Sequence, residues 1–228
     1  MKKIMFNDKY GLTQAVLEGR KTMTRRVVSQ IQDGDQVGVW DAPYIELWRN
    51  GQKHEIFPAY QVGEEVAVAQ NYEQAGWKPD TLQQAWVKKP TIFPDLDEYQ
   101  PLCGWVDLPF KYHKGWTNKM FVLADLMPHR IRITGIKVER LQDISDADIL
   151  REGVQEFQTP NGCVYVAGGV GVGELDRERI RCGRVTIADT IKYDTAQEAF
   201  AALIDKVSGR GTWDSNPYVF AYEFELVR

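Results

Sequence analysis

Eight residues, GRKTMTRR at 19–26, set four cations, Arg20, Lys21, Arg25 and Arg26, around the hydroxyls of Thr22 and Thr24. The chain that carries them has 228 residues and a formal net charge of −4, so this cluster departs from its surroundings. An acidic balance argues against coating a polyanion through bulk electrostatics, and any phosphate contact must be made by a local patch. Taken alone, these residues leave two readings open. One is a solvated basic turn whose arginines pair with surface acids; the other is a contact for phosphate.

Other chemistry-bearing residues form weaker patterns. His129 reads as a structural residue or a phosphate contact rather than a base. No H-E-x-x-H motif exists, and His54, His113 and the cysteines lack ligand spacing, so no metal and no cofactor is expected. Cys103, Cys163 and Cys182 are odd in number and far apart, which suits free thiols in a reducing, cytoplasmic setting. GGVGVG at 168–173 lacks both the P-loop G-K-[ST] and a G-x-G-x-x-G frame opening a helix, and reads as a loop. Trp213 with Asn216-Pro217 makes a turn. At the N-terminus, Asn7-Asp8-Lys9 interrupts any apolar run, so neither a signal peptide nor a membrane span is predicted.

The elements that must position these residues follow from periodicity. Leu12, Ala15 and Val16 predict a short amphipathic helix stopped by Gly19, which makes GRKTMTRR the exit from a helix into a strand at Val27-Val28. Trp40 and Trp48 lie in a predicted hairpin. After a turn at Val62-Gly63, the residues up to Tyr72 alternate as a strand. Prolines and tryptophans over 76–118 predict an ordered but irregular insertion. Ile131 and Ile133, then Ile136 and Val138, predict a long strand whose phase flips at a bulge near Gly135. Ser145, with Ile144 and Ile149 as a staple, opens a short helix that Gly153 ends, leaving Glu152 in its last turn. Residues 155–194 read as a loop-rich insertion. Thr195 and Glu198 cap a helix with Ala199, Phe200, Leu203, Ile204 and Val207 inward. The last strand sets Tyr218, Phe220, Tyr222, Phe224 and Leu226 on one face. This order predicts an α+β fold with a curved or closed sheet.

Four segments, LEGRKTMTRR (17–26), YQVGEEVAV (60–68), RIRITGIKVERLQDISDADILREGV (130–154) and GTWDSNPYVFAYEFEL (211–226), together resemble the ASCH family of the PUA-like superfamily. The resemblance covers roughly half of the chain. It implies a small β-barrel with flanking helices, here one domain over 1–228 with insertions at about 29–57, 76–118 and 155–194. It also implies action on RNA or nucleotides. One branch of the family consists of amidohydrolases that deacetylate N4-acetylcytidine, and its catalytic lysine, threonine and glutamate correspond here to Lys21, Thr24 and Glu152. Aligned from its start, ISDADILREGV reaches the acid position at Glu152 without a gap. The segment holding Trp213 borders the cleft in the family, so Trp213 is a candidate for stacking on a base. Arg20, Arg25, Arg26, His129 and Asn216 complete the expected nucleotide-binding set.

On that resemblance Thr24 attacks the acyl carbonyl, Lys21 takes its proton and Glu152 protonates the departing amine. A free lysine, with a pKa of about 10.4, is neutral in only about one molecule in 2,500 at pH 7. Like-charge repulsion from Arg20, Arg25 and Arg26, together with burial, is expected to lower it. The negative end of the helix macrodipole is expected to keep Glu152 protonated. Residues three apart face opposite ways on a strand, so Lys21 must belong to the turn after Gly19. The alternatives are a non-catalytic module binding RNA or a modified base, and an interaction protein built around the tryptophan-rich insertion.

Overall fold

A computed structural model describes residues 1–40, 43–78, 114–159, 162–167 and 192–227. Most of the proline- and tryptophan-rich insertion, the glycine run, His113, Cys103 and Cys182 lie outside the described residues. The first half of the chain contributes β1 (Lys3–Ile4), α1 (Leu12–Leu17), β2 (Met23–Val27), β3 (Gln36–Val39), β4 (Ile45–Arg49), β5 (Gln52–Ile56) and β6 (Glu65–Val68). The second contributes β7 (Arg130–Arg140), α2 (Asp146–Arg151), β8 (Gln155–Thr159), β9 (Gly162–Val166) and β10 (Lys192–Tyr193). It closes with α3 (Ala196–Ser208), α4 (Thr212–Ser215) and β11 (Tyr218–Val227). The fold is α+β, and the chain forms two compact units.

One unit comprises Met1–Phe6 and Val66–Arg130. Here β1 runs parallel to β6, with Lys3 opposite Ala67 and Ile4 opposite Val68. Ala67, Ala69, Tyr72, Val122, Leu126 and Met127 form its core, against which Trp77 and Trp116 pack. The Trp77 indole donates to the Leu126 carbonyl at 2.8 Å, giving the buried N–H the partner it needs. The described ends of the 76–118 insertion are thus ordered and packed.

The other unit comprises Asn7–Glu65 and Ile131–Arg228. In it β11 lies between β7 and β2, and pairs antiparallel with β2 from Met23–Glu223 to Val27–Val219. A strand with neighbours on both edges is covered more fully than alternation suggests. Val219 and Ala221 are as buried as Phe220, Tyr222 and Phe224, so the expected single buried face is in fact two. β7 runs unbroken through Gly135, with Ile131 and Ile133 buried and Ile136 and Val138 half-buried.

Two further sheets replace segments expected to hold less structure. β3, β4 and β5 form a three-stranded antiparallel sheet where a hairpin was expected. Asn50-Gly51 joins β4 to β5, both residues at positive φ, as a two-residue hairpin turn requires. β8 and β9 pair antiparallel, with β10 beside β9, inside the segment expected to be loop-rich. The strand orders β7–β11–β2, β3–β4–β5 and β10–β9–β8 are linear, and none closes on itself among the described residues.

The helix-start signals hold. The Ser145 hydroxyl accepts from the Asp148 N–H, and the Thr195 hydroxyl accepts from the Glu198 N–H. α3 buries Ala199, Phe200, Leu203 and Ile204. The Trp213 and Gly211 N–H groups donate to Asp205, and the Phe200 and Trp213 rings meet edge to face at 6.0 Å. Asn216, at φ 43°, accepts the Gln142 N–H on its side-chain oxygen at 2.9 Å. The turn between β7 and α2 is thereby tied to the turn before β11, which sets where α2 begins. Asn216→Ala loses that acceptor and places a Cβ-bearing residue without local compensation in the left-handed region. It should lower the unfolding free energy by about 1–3 kcal/mol in urea titration.

Candidate active site

The site is built where the chain leaves α1. Gly19, at φ 74°, reverses the backbone, and the N–H groups of Arg20 and Lys21 both donate to the Ala15 carbonyl at 2.9 Å. Lys21 therefore belongs to the turn and not to β2, as a Lys–Thr pair demands. The Thr22 N–H then donates to the Arg151 carbonyl at 3.0 Å, anchoring the start of β2 to the end of α2. Glu152 follows as the C-cap, and Gly153, at φ 103°, ends the helix. A Cβ at Gly153 would meet Leu12 Cδ2 at 3.5 Å and Lys21 Cδ at 3.7 Å, ordinary contact distances, so it is the positive φ that calls for glycine here.

Lys21 and Glu152, 131 residues apart, meet in the interior. The Lys21 amine donates to Glu152 Oε2 at 2.6 Å and to the Glu152 carbonyl at 2.7 Å, with the lysine side chain only 2% exposed. Glu152 Oε1 accepts from Arg25 Nη1 at 3.1 Å. The Arg25 guanidinium has no exposed surface and also donates to Glu139 Oε1, from Nε at 2.9 Å and from Nη2 at 2.6 Å. Asp148 Oδ2 lies 3.5 Å from Nη2, and Met23 Sδ lies 3.1 Å from Nη1. Around this centre, Arg151 reaches Asp148 and Glu223, while Lys137 reaches Glu223 at 3.3 Å and Asp148 at 3.9 Å.

Burial pushes the Lys21 amine below the ordinary lysine value; Glu152 opposes that shift, and the charges of Arg26 and Arg25 add to it. Desolvation leads and like-charge repulsion follows. Arg20 takes no part, since its guanidinium is turned onto Glu18 at 2.6 Å. The Glu152 carboxyl, at the C-terminal end of α2, accepts from the Lys21 amine on Oε2 and from the Arg25 guanidinium on Oε1.

The local basic patch is therefore no open surface, because Lys21 and Arg25 are buried in ion pairs. Thr24 is buried too and sits on the other face of β2 from Arg25, in register with Tyr222. Arg26 shares that face, and its charge bears on Tyr60 and Tyr222, whose phenols burial pushes up. Those two rings meet edge to face at 5.3 Å. The contacts joining Lys21, Arg25 and Glu152 do not include Thr24. His129 belongs to the other unit, where its carbonyl accepts from Val68. Trp213 and Asn216 are engaged in the turn contacts described above. Sequence reasoning missed Glu139 and Asp148 as partners of Arg25, along with the Tyr60–Tyr222 pair. Asp148 lies in the first turn of α2, and nothing local to β7 marks Glu139.

Comparison with protein-family models, curated proteins and solved structures finds no match in any of the three. Among the described residues no helix is long and apolar enough to cross a membrane. No cluster of three or more His, Cys, Asp or Glu suited to a metal ion occurs among them.

Removing one partner of a buried pair strands the other. Glu152→Ala should destabilise the protein by about 3–5 kcal/mol, and adding Lys21→Met should recover part of that loss, since Arg25 Nη1 alone is then left without its carboxylate. Denaturant midpoints at pH 7 read both. The pH dependence has a fixed sign. Because the folded-state value of Lys21 lies below the unfolded 10.5, the unfolded chain holds more protons between the two, and stability rises with pH there. Buried Tyr60 and Tyr222 oppose this only near and above their ordinary value of 10.0. As pH rises toward about 9.5 the wild type should gain stability relative to Lys21→Met. A flat difference would show that Lys21 is not shifted downward.

Proposed function

We propose that the chain is an amidohydrolase releasing an acyl group from an acylated cytosine nucleoside, of the N4-acetylcytidine kind, or from a related modified nucleotide. The reading includes a PUA-like ASCH domain as its framework. What supports the framework is element order: a helix, a glycine turn, β2, the eleven-residue β7 and the short α2 follow the order that the resemblance implies. The reading rests on one observation above all. Lys21 and Glu152, paired by the resemblance across 131 residues, share a 2.6 Å hydrogen bond.

That bond offers a route to both protonation states the reaction needs. As an ion pair, Lys21 is no base and Glu152 no acid. Moving one proton along the bond makes the amine neutral and the carboxyl neutral together, with no exchange with solvent. Burial favours this neutral form, because an uncharged pair loses less on leaving water than two ions do. The Thr24 hydroxyl then adds to the acyl carbonyl and its proton passes to Lys21. The C–N bond breaks as Glu152 protonates cytosine N4, and water releases the acyl group from Thr24. Lys21, Thr24 and Glu152 are all buried, so turnover includes an opening that admits the nucleoside.

The alternative is a non-catalytic module for RNA or a modified base. The feature favouring it is Thr24, which shares its face of β2 with Arg26 and Tyr222 instead of with Arg25. Cytidine release from N4-acetylcytidine by purified protein separates the two. The hydrolase reading expects turnover that Thr24→Ala and Lys21→Met each reduce by about a hundredfold or more, with Glu152→Gln also slowed. Absence of turnover on any acylated cytosine nucleoside leaves the binding module.

A further inference from the structure

Arg25 touches the shared hydrogen bond at one end only. Its Nη1 reaches Glu152 Oε1 at 3.1 Å, while the Lys21 amine sits on the other carboxylate oxygen, Oε2, at 2.6 Å. A positive charge so placed stabilises the carboxylate more than it repels the ammonium beyond it, since coulombic energy falls with distance. The guanidinium in turn is shared with Glu139 on β7 and Asp148 on α2.

We infer that Arg25 is a positioning residue that keeps the proton of the Lys21–Glu152 bond on the lysine, and that Glu139 and Asp148 temper this hold by sharing the guanidinium charge. The use of that proton rests on the hydrolase reading; the charge arrangement does not. The other charged groups described around the pair fit this account. On β2, Arg26 acts on Lys21 from the side opposite Arg25. On α2, Asp148 is held by Arg151, and on β7, Lys137 reaches both Asp148 and Glu223 of β11. Glu223 also takes Arg151. Among the described residues, these outer pairs leave Arg25 as the cation in direct contact with Glu152 besides Lys21 itself. A clamp of this kind holds the resting site as an inactive ion pair, and the neutral pair forms when contact with Arg25 weakens.

The test is the ionisation of Lys21 in the intact chain without substrate, followed by heteronuclear NMR of its Nζ and Cε from pH 6 to 10 and assigned against Lys21→Met. The wild type should show an ammonium at pH 7. Arg25→Gln with Glu139→Gln removes the charges as a pair and should lower the Lys21 midpoint by about one pH unit or more. Arg25→Lys, which restores a cation beside Glu152, should return it to within about half a unit of the wild type. Should the glutamine pair fail to fold, Arg25→Met with Glu139→Met fills the volume with apolar atoms and carries the same expectation. A neutral Lys21 in the wild type at pH 7, an unmoved midpoint in a folded charge-free variant, or an equal shift in Arg25→Lys overturns the clamp. A shifted midpoint without cytidine release in the wild type leaves the clamp standing and removes the hydrolase.

Discussion

A guanidinium cannot shed its charge at any pH a protein survives, so burying one obliges the fold to surround it with acceptors. Arg25 has no exposed side-chain surface, and its obligation is met by Glu139 from β7 and by Asp148 and Glu152 from α2 and its cap. None of these lies within 110 residues of it. Satisfying this group draws α2 and its cap toward β2, alongside the Thr22–Arg151 backbone bond, and turns Glu152 inward where Lys21 also meets it. Ion pairs of this kind add little net stability over an apolar core of equal volume. They instead make the wrong arrangement costly, because any shift of α2 leaves a charge unpaired.

The cation cluster at 19–26 accordingly does two different things. Arg20 and Arg26 keep part of their surface, and Arg20 pairs with neighbouring Glu18. Lys21 and Arg25 go inward and are neutralised by residues that sequence proximity does not suggest. The reading of a basic turn paired with acids was closer to the structure than an open phosphate patch, though the acids are interior. What local charge density described as a surface is half interior, since strand alternation turns adjacent cations to opposite sides of β2.

Local signals were legible wherever short-range physics decides the outcome. The Ser145 and Thr195 caps, the left-handed glycines at 19, 63 and 153, and the buried stripe of α3 are as the residues imply. The approach of Lys21 to Glu152 was reached by resemblance and by register, not by any local pattern. Three features escaped. Asn50-Gly51 is a hairpin dipeptide, and given that weight it would have revealed β4–β5. The two-sided burial of β11 depends on having neighbours on both edges, which alternation within one strand does not encode. The partners of Arg25 depend on tertiary approach across more than a hundred residues, and no sequence window contains both ends.

That separation has a consequence for the newly made chain. Lys21 and Arg25 leave the ribosome long before residue 152 is made; at about 5–20 residues per second the wait is on the order of ten seconds. Throughout it both cations stay hydrated, and β2 has no β11 to pair with, since its register partners end at Glu223. The N-terminal segment must remain solvated and uncommitted until the last strand arrives. Its density of charge, half of which the finished protein hides, favours that solvated state.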